Sequence, residues 1–221
     1  MTWTHYLPAL LKGAQVTAEI AVASTVLGAV LAFAAGIARV EGGRVLSWIA
    51  LVYIEIFRGT SLLVQLFWLY YALPLVGVSF SPVVTGIAGL ALNIGAYGAE
   101  VVRGALLAVP PQQREAARAL NFGRTHTLLR ICLPQAVVEM MPSFGNLAVQ
   151  NLKDTSLVSL ISISDLTFRA QSLRNISLDS VTIYSMTLIG YFVMALVLTA
   201  LMRWLEAALR RGPAFPRSVH G

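Results

Sequence analysis

Charge is scarce in this chain. Of 221 residues only 12% are Asp, Glu, Lys or Arg, while 57% are hydrophobic. A soluble domain carries about a quarter charged residues and about half apolar ones. There is too little polar surface here to clothe a large soluble domain, and a mean hydropathy of +0.74 assigns the excess to lipid. Cysteine is scarcer still: Cys132 stands alone, so neither a disulfide framework nor a CxxC pair exists, and it reads as a small apolar filler rather than a nucleophile. The histidines (His5, His126, His220) are scattered, with no HExxH and no Cys/His ligand spacing, so no metal centre is expected. No G-x-x-x-x-G-K-[ST] phosphate loop is present, and no constellation of paired carboxylates or activated nucleophile, which disfavours an intramembrane enzyme. The net charge of +6 would suit nucleic acid, but the positive residues fall between and after apolar runs, where they control membrane topology instead.

Apolar runs are what the chain has in abundance. A transmembrane helix takes about 20 mostly apolar residues, and the sequence predicts five: about 15–38, 48–74, 82–103, 135–157 and 181–203. Met1–Gly13, with Trp3, Tyr6 and Lys12, reads as an interfacial segment ahead of the first. A cleavable signal peptide is the competing interpretation of the first run. The lone Lys12 before it, and Arg39 and Arg44 after it, favour a retained span. The chain therefore reads as one transmembrane domain over 1–221, all-α, with a polar loop over 108–134.

Polar residues inside spans are costly and mark function or pairing. In the second span Glu55 and Arg58 share a helix face, which predicts a mutual ion pair, or a partner across a helix interface, in preference to a solute contact. Gln65 lies deeper and requires a partner. Gly59 and Thr60 could admit a close neighbour. In the third span Gly86, Gly89, Gly95 and Gly98 allow tight helix packing. The fourth is the most polar, with Glu139, Asn146, Gln150, Asn151, Lys153 and Asp154. Pro142 and Gly145 are expected to weaken the helix locally, and broken helices are tolerated at membrane depth where backbone lines a cavity or is buried in protein. The candidate path residues are Glu55, Arg58, Gln65, Asn146, Gln150, Lys153, Asp154, Thr155 and Ser156. Residues 165–179 read as a surface helix on the far side, and the Gly/Pro-broken tail after Arg210 as frayed.

Charge counting orients the spans. If the 108–134 loop is cytosolic, the inner side holds Arg39, Arg44, Arg103, Arg114, Arg118, Arg124, Arg130, Arg203, Arg210, Arg211 and Arg217. The outer side holds only Lys12, Arg169 and Arg174. This places the N-terminus outside and the C-terminus in the cytosol.

Within the loop, Pro110 and Pro111 suit a helix start, and Gln112–Leu120 are good helix formers. Asn121 is a plausible left-handed cap, with Gly123 as a second exit. Thr125 is expected to cap a following helix, and Pro134 to force a break. Ala116, Ala117 and Ala119 give the first helix a smooth side that a partner's groove could accept.

The stretch Glu115-Ala116-Ala117, then Asn121, then Ile131, Leu133 and Pro134 resembles the EAA loop of ATP-binding cassette importer permeases. Its departure is Asn121 where that family usually has Gly. YIEIFRGTSLLVQLFWLYYALP and NLKDTSLVSLISISDL resemble matching stretches of polar amino-acid uptake permeases, so the resemblance covers nearly the whole chain. It implies an importer permease (MetI-like) fold in a bacterial plasma (inner) membrane, with a cytosolic coupling helix using Glu115, Ala116, Ala117, Arg118, Leu120, Asn121 and Gly123. It also implies partners: two cytosolic ATPase subunits, a second permease subunit, identical or similar, and an extracytoplasmic solute-binding protein. No cofactor would bind this chain itself, since ATP and Mg belong to the partner ATPase. A self-contained channel or ion-driven carrier is the alternative, but it would not explain the EAA spacing.

A zwitterionic solute needs one partner for its ammonium and another for its carboxylate. Asp154, beside Thr155 and Ser156, could hold the cationic end, and Lys153 or backbone donors the anionic end. Equally, Lys153 and Asp154 could neutralise each other. Leu147 stands where some relatives handling basic amino acids carry an acid, which argues against an arginine-like solute. The ALN form of the loop, with GAYGAEVVRG before it, most resembles permeases for ectoine-type solutes.

Overall fold

The computed structural model describes residues 5–210. Trp3, Arg211, Arg217 and the Gly/Pro-broken tail lie outside the described residues. Helix α1 spans Leu7–Glu41 and begins well before the expected Gln15. Pro8 in its first turn costs no hydrogen bond. The expected interfacial segment is thus the first turns of a long helix, with Tyr6 and Leu10 packed on Leu166, Ala170 and Ile183.

The expected second span is not one rod. It divides into α2 (Arg44–Gly59) and α3 (Leu62–Phe67), the latter running on through a π turn, Trp68–Ala72, and a 3-10 turn, Leu73–Val76. The two halves are bent by 105° at Thr60 and Ser61. Gly59, Thr60 and Ser61 are poor helix formers in succession. Both Thr60 (φ −120°, ψ 157°) and Ser61 (φ −70°, ψ 133°) are extended. Gly77, at φ 88°, turns the chain out of the pair.

Helix α4 (Pro82–Ala108) starts at Ser81, whose side chain accepts from Val84 N at 3.4 Å. It packs along α1 with backbones in close approach. A Cβ on Gly36 of α1 would lie 2.7 Å from Ala99 O, and one on Gly98 of α4 would lie 2.7 Å from Ala32 Cβ. Small residues on both faces allow this dispersion contact where no hydrophobic force joins helices in lipid.

Two residues later α5 begins (Pro111–Ala119). It ends in a Schellman arrangement: Phe122 N donates to Ala117 O at 3.0 Å and Asn121 N to Arg118 O at 2.9 Å. Asn121 takes the left-handed conformation, φ 60°, that this motif requires. Gly123 is extended and is not a second left-handed exit. It, and not Thr125, precedes the short helix α6 (Arg124–Thr127).

The break expected at Pro134 does not occur. A π turn, Leu128–Cys132, carries the chain straight into α7 (Leu133–Asp154), and Gln135 Nε2 caps the Ile131 carbonyl at 2.8 Å. The wider π turn absorbs the missing proline N–H and the ring's bulk. Helix α7 also runs unbroken through Pro142 and Gly145. It gives way only after Asp154, to a 3-10 turn over Thr155–Ile161 that Ser162 ends at φ 65°.

Asp165 then caps α8 (Leu166–Ser177), accepting from Phe168 N at 2.8 Å, and α9 (Ser180–Arg210) completes the described chain. The far-side helix is anchored rather than merely superficial. Leu166 N donates to Thr17 Oγ1 of α1 at 3.1 Å, and Tyr191 OH of α9 donates to Asp165 at 3.2 Å. Burial pushes the Asp165 carboxyl above the usual carboxylate range, opposed by hydrogen bonds from the Phe168 and Thr167 backbone and from Tyr191.

By length and apolarity, α1, α4 and α9 can each cross a membrane, and the bent α2–α3 pair counts as a fourth. Helix α7, the remaining member of the expected five, has 22 residues but is interrupted by Glu139, Lys153 and Asp154. Its core face nevertheless joins Ala136, Met140 and the buried Cys132 to Val102 and Leu106 of α4. A second apolar cluster, nearer α8, gathers Ile20, Leu66, Leu90, Val158 and Ile161.

Candidate functional site

Two features stand out, a cavity amid the helices and the α5 loop at one end. The cavity has a volume of about 680 Å³. It lies where the α2–α3 break, the middle of α4 and the end of α7 converge, and is lined by Thr60, Ser61, Asn93, Tyr97, Gln150 and Asp154 among others. A volume of several hundred Å³ with few polar groups on apolar walls suits a small polar solute.

Of the nine path residues expected from sequence, only Gln150 and Asp154 line this cavity. Gln150 Nε2 donates to Asp154 Oδ1 at 2.9 Å along one face of α7. Lys153 is exposed, and among the described residues it makes no ion pair with Asp154. Successive residues of a helix point about 100° apart, which separates them. Thr155 and Ser156 lie past the end of α7; the Thr155 hydroxyl donates to Leu152 O and the Ser156 carbonyl accepts from Ser159 Oγ, both at 2.7 Å. Asn146, one turn before Gln150, lines a separate groove shared with Met202, Arg203 and Glu206 of α9.

Glu55 and Arg58 do not pair. The Arg58 guanidinium sits over the Tyr97 ring, 5.3 Å from its centroid, a cation–π contact with α4, and Glu55 is exposed. The three-residue spacing allowed an ion pair, but the neighbouring helix offered Arg58 an aromatic face. Gln65 does not line the cavity. Its amide nitrogen donates to Phe57 O at 2.9 Å, Thr60 Oγ1 at 2.8 Å and Thr60 O at 3.2 Å.

Asn93 is the residue sequence reasoning missed. It donates to Phe57 O and to Gln65 Oε1, both at 3.1 Å. The signal was present: an amide in the otherwise apolar stretch ALNIGAYG should be assigned a partner.

At the other end, α5 presents Glu115, Ala116, Arg118 and Ala119 to the outside, with Ala117 turned inward. Leu120 is 68% and Phe122 41% exposed, flanking the left-handed Asn121. Arg114 ties the helix to the end of α1 through a 2.7 Å ion pair with Glu41. Only Val109 and Pro110 separate α5 from α4, so α4 connects this surface directly to the cavity.

A family model described as "Binding-protein-dependent transport system inner membrane component" matches residues 24–211. Over 217 residues the chain is 54% identical to a probable amino-acid ABC transporter permease protein, y4tF, of Sinorhizobium fredii (strain NBRC 101917 / NGR234), covering 96% of this chain and 91% of that one. It is 35% identical over 206 residues to the glutamine transport system permease protein GlnP of Escherichia coli (strain K12), covering 92% and 94%. A crystal structure of an amino acid ABC transporter with histidines aligns with a TM-score of 0.86 at 30% identity, over 94% of this chain and 100% of that one.

Proposed function

This chain belongs to the binding-protein-dependent transport inner membrane component family and is a permease subunit of an amino-acid ABC importer, and from that premise we propose that the central cavity is its solute path and α5 its coupling helix. The observation that carries this reading is the continuity of α4. One helix bears Asn93 and Tyr97 in the cavity wall and, two residues beyond its end, feeds an α5 whose exposed end shows Leu120 and Phe122. A groove on a cytosolic ATPase accepts Glu115, Ala116, Arg118, Leu120, Asn121 and Gly123, whereas Ala117, expected beside them, is buried and packs the helix onto this chain instead. Two ATPases, a second permease subunit and an extracytoplasmic binding protein complete the importer. All nucleotide chemistry belongs to the ATPases, and no cofactor is held by this chain.

Five spans, with α7 included beside the bent α2–α3 pair, put the N-terminus outside and the C-terminus in the cytosol. The arginine bias supports this orientation.

The solute is a polar amino acid or related zwitterion. Asp154 receives its ammonium in a half-buried setting already polarised by Gln150. Polar groups of the 60–61 break and backbone donors face its carboxylate. The ALN loop supports an ectoine-type solute, while the relatives named above are amino-acid permeases.

The decisive experiment is reconstitution of the full complex in proteoliposomes with a solute panel containing amino acids and ectoines. ATP-dependent uptake that requires the binding protein supports the reading. Uptake by this chain without the ATPase would overturn it in favour of a channel or ion-driven carrier.

A further inference from the structure

The 105° break between α2 and α3 strips the last turn of α2 of its helical partners. In a continuous helix Ser61 N would donate to Phe57 O. Here Ser61 is extended, and two side-chain amides replace it: Gln65 Nε2 at 2.9 Å and Asn93 Nδ2 at 3.1 Å. Gln65 also reaches Thr60 O and Thr60 Oγ1, while Thr60 Oγ1 donates to Ile56 O at 2.7 Å. Asn93 Nδ2 closes the arrangement on Gln65 Oε1 at 3.1 Å. The carbonyls near the bend are therefore met by side chains, Thr60 at the bend itself, Gln65 from α3 beyond it and Asn93 from the neighbouring α4.

We propose that the Gln65–Asn93 amide pair is a latch that holds the α2–α3 break open and thereby positions Thr60 and Ser61 as the cavity wall facing Gln150 and Asp154. Within a membrane an unmet carbonyl has no water to turn to, so such a bend persists only where protein groups satisfy it. Without the amides, the chain's best remaining option is to rewind through Thr60 and Ser61, which restores helical hydrogen bonds and rebuilds the wall. Gln65 is buried, is absent from the cavity lining and has both ends of its amide occupied, so it is a positioning residue and not a solute contact. Asn93 serves from α4, and two further α4 contacts hold the same half of α2: Tyr53 OH to Leu92 O at 2.8 Å, and Arg58 over Tyr97. Movement of α4 is thus transmitted to the cavity wall through Asn93.

The inference rests on the cavity being the solute path, and the test separates the two claims. Cys132 is the single cysteine and is buried, so Ser61→Cys in a Cys132→Ala chain gives one reporter thiol at the break. In the full complex in proteoliposomes, its rate of alkylation by a membrane-impermeant maleimide reads the wall, and ATP-driven uptake reads transport.

Asn93→Leu or Gln65→Leu should change the alkylation rate by about tenfold and raise the half-saturating solute concentration by a similar factor, with a smaller effect on maximal rate. The swapped pair Gln65→Asn with Asn93→Gln keeps both amides and their summed length, and should return both readouts towards the parent values. Unchanged alkylation in an assembled Asn93→Leu complex overturns the latch. So does a swapped pair that fails to assemble or resembles the leucine variants. Alkylation that follows the pair while uptake does not leaves the latch standing and removes the cavity from the solute path.

Discussion

Asn151 of α7 donates its side-chain amide to Ser24 Oγ of α1 at 2.7 Å, in the buried heart of the bundle. The same nitrogen lies 2.9 Å from Thr25 Oγ1 and 3.4 Å from Ala21 O, while Ser24 Oγ donates back to Ile20 O at 2.7 Å. This cluster joins the path-lining helix to the helix at the centre of the fold.

Asn151→Ala should therefore destabilise the protein. Interhelical hydrogen bonds in membranes contribute about 0.6 kcal/mol on average and up to about 1.7. The shared geometry here places the loss near the upper figure. Thermal unfolding of the detergent-solubilised chain would show a lowered midpoint, and an unchanged midpoint would refute a structural role for Asn151.

Two glycines of similar appearance in sequence should behave oppositely. Gly36→Ala puts a methyl 2.7 Å from Ala99 O and 2.6 Å from Val102 Cβ, so α1 and α4 must separate, at a cost of about 1–3 kcal/mol. Gly104→Ala meets nothing within 4 Å and should be neutral, or stabilising by up to about 1 kcal/mol through helix propensity. The same unfolding measurement on both variants checks the contrast.

Glu115→Lys should leave the fold intact, because Glu115 is exposed and makes no ion pair among the described residues. Its stability change should stay within about 0.5 kcal/mol. ATPase stimulation and uptake should both fall as the docking rim reverses charge. Full uptake by this variant would remove Glu115 from the docking surface.

Asp154→Asn keeps the size of the side chain and its place beside Gln150 but removes the charge offered to a solute ammonium. Uptake should drop by about tenfold or more while assembly with the ATPase persists. Normal uptake in the assembled complex would take Asp154 off the solute path.

Local sequence was enough to read the start and the cap of α5, but not the chain from Gly123 to Pro134. The α5 start at Pro111, its alanine face and the left-handed Asn121 depend on hydrogen bonds reaching no more than five residues along the chain. Pro134 and Pro142 carry a local cost that predicts a break at the first and a weakened helix at the second. A π turn and continued packing of α7 against α1, α4 and α9 absorbed both. Likewise the Glu55–Arg58 spacing described one helix face truly but could not register Tyr97, which approaches from another helix.

The sequence by itself determined that this is an all-helical chain with too little charge for a soluble domain. It also determined the bounds of α5, because composition and short-range periodicity are properties of neighbouring residues. Tertiary structure alone decided that the second apolar run bends by 105°, that Gln65 serves the bend and that Asn93, not Lys153, shares the cavity with Asp154. The physical reason is distance along the chain. Phe57 O must choose between Ser61 N, four residues away, and an amide 36 residues away. Only the packing of α4 against α2 makes the second donor available.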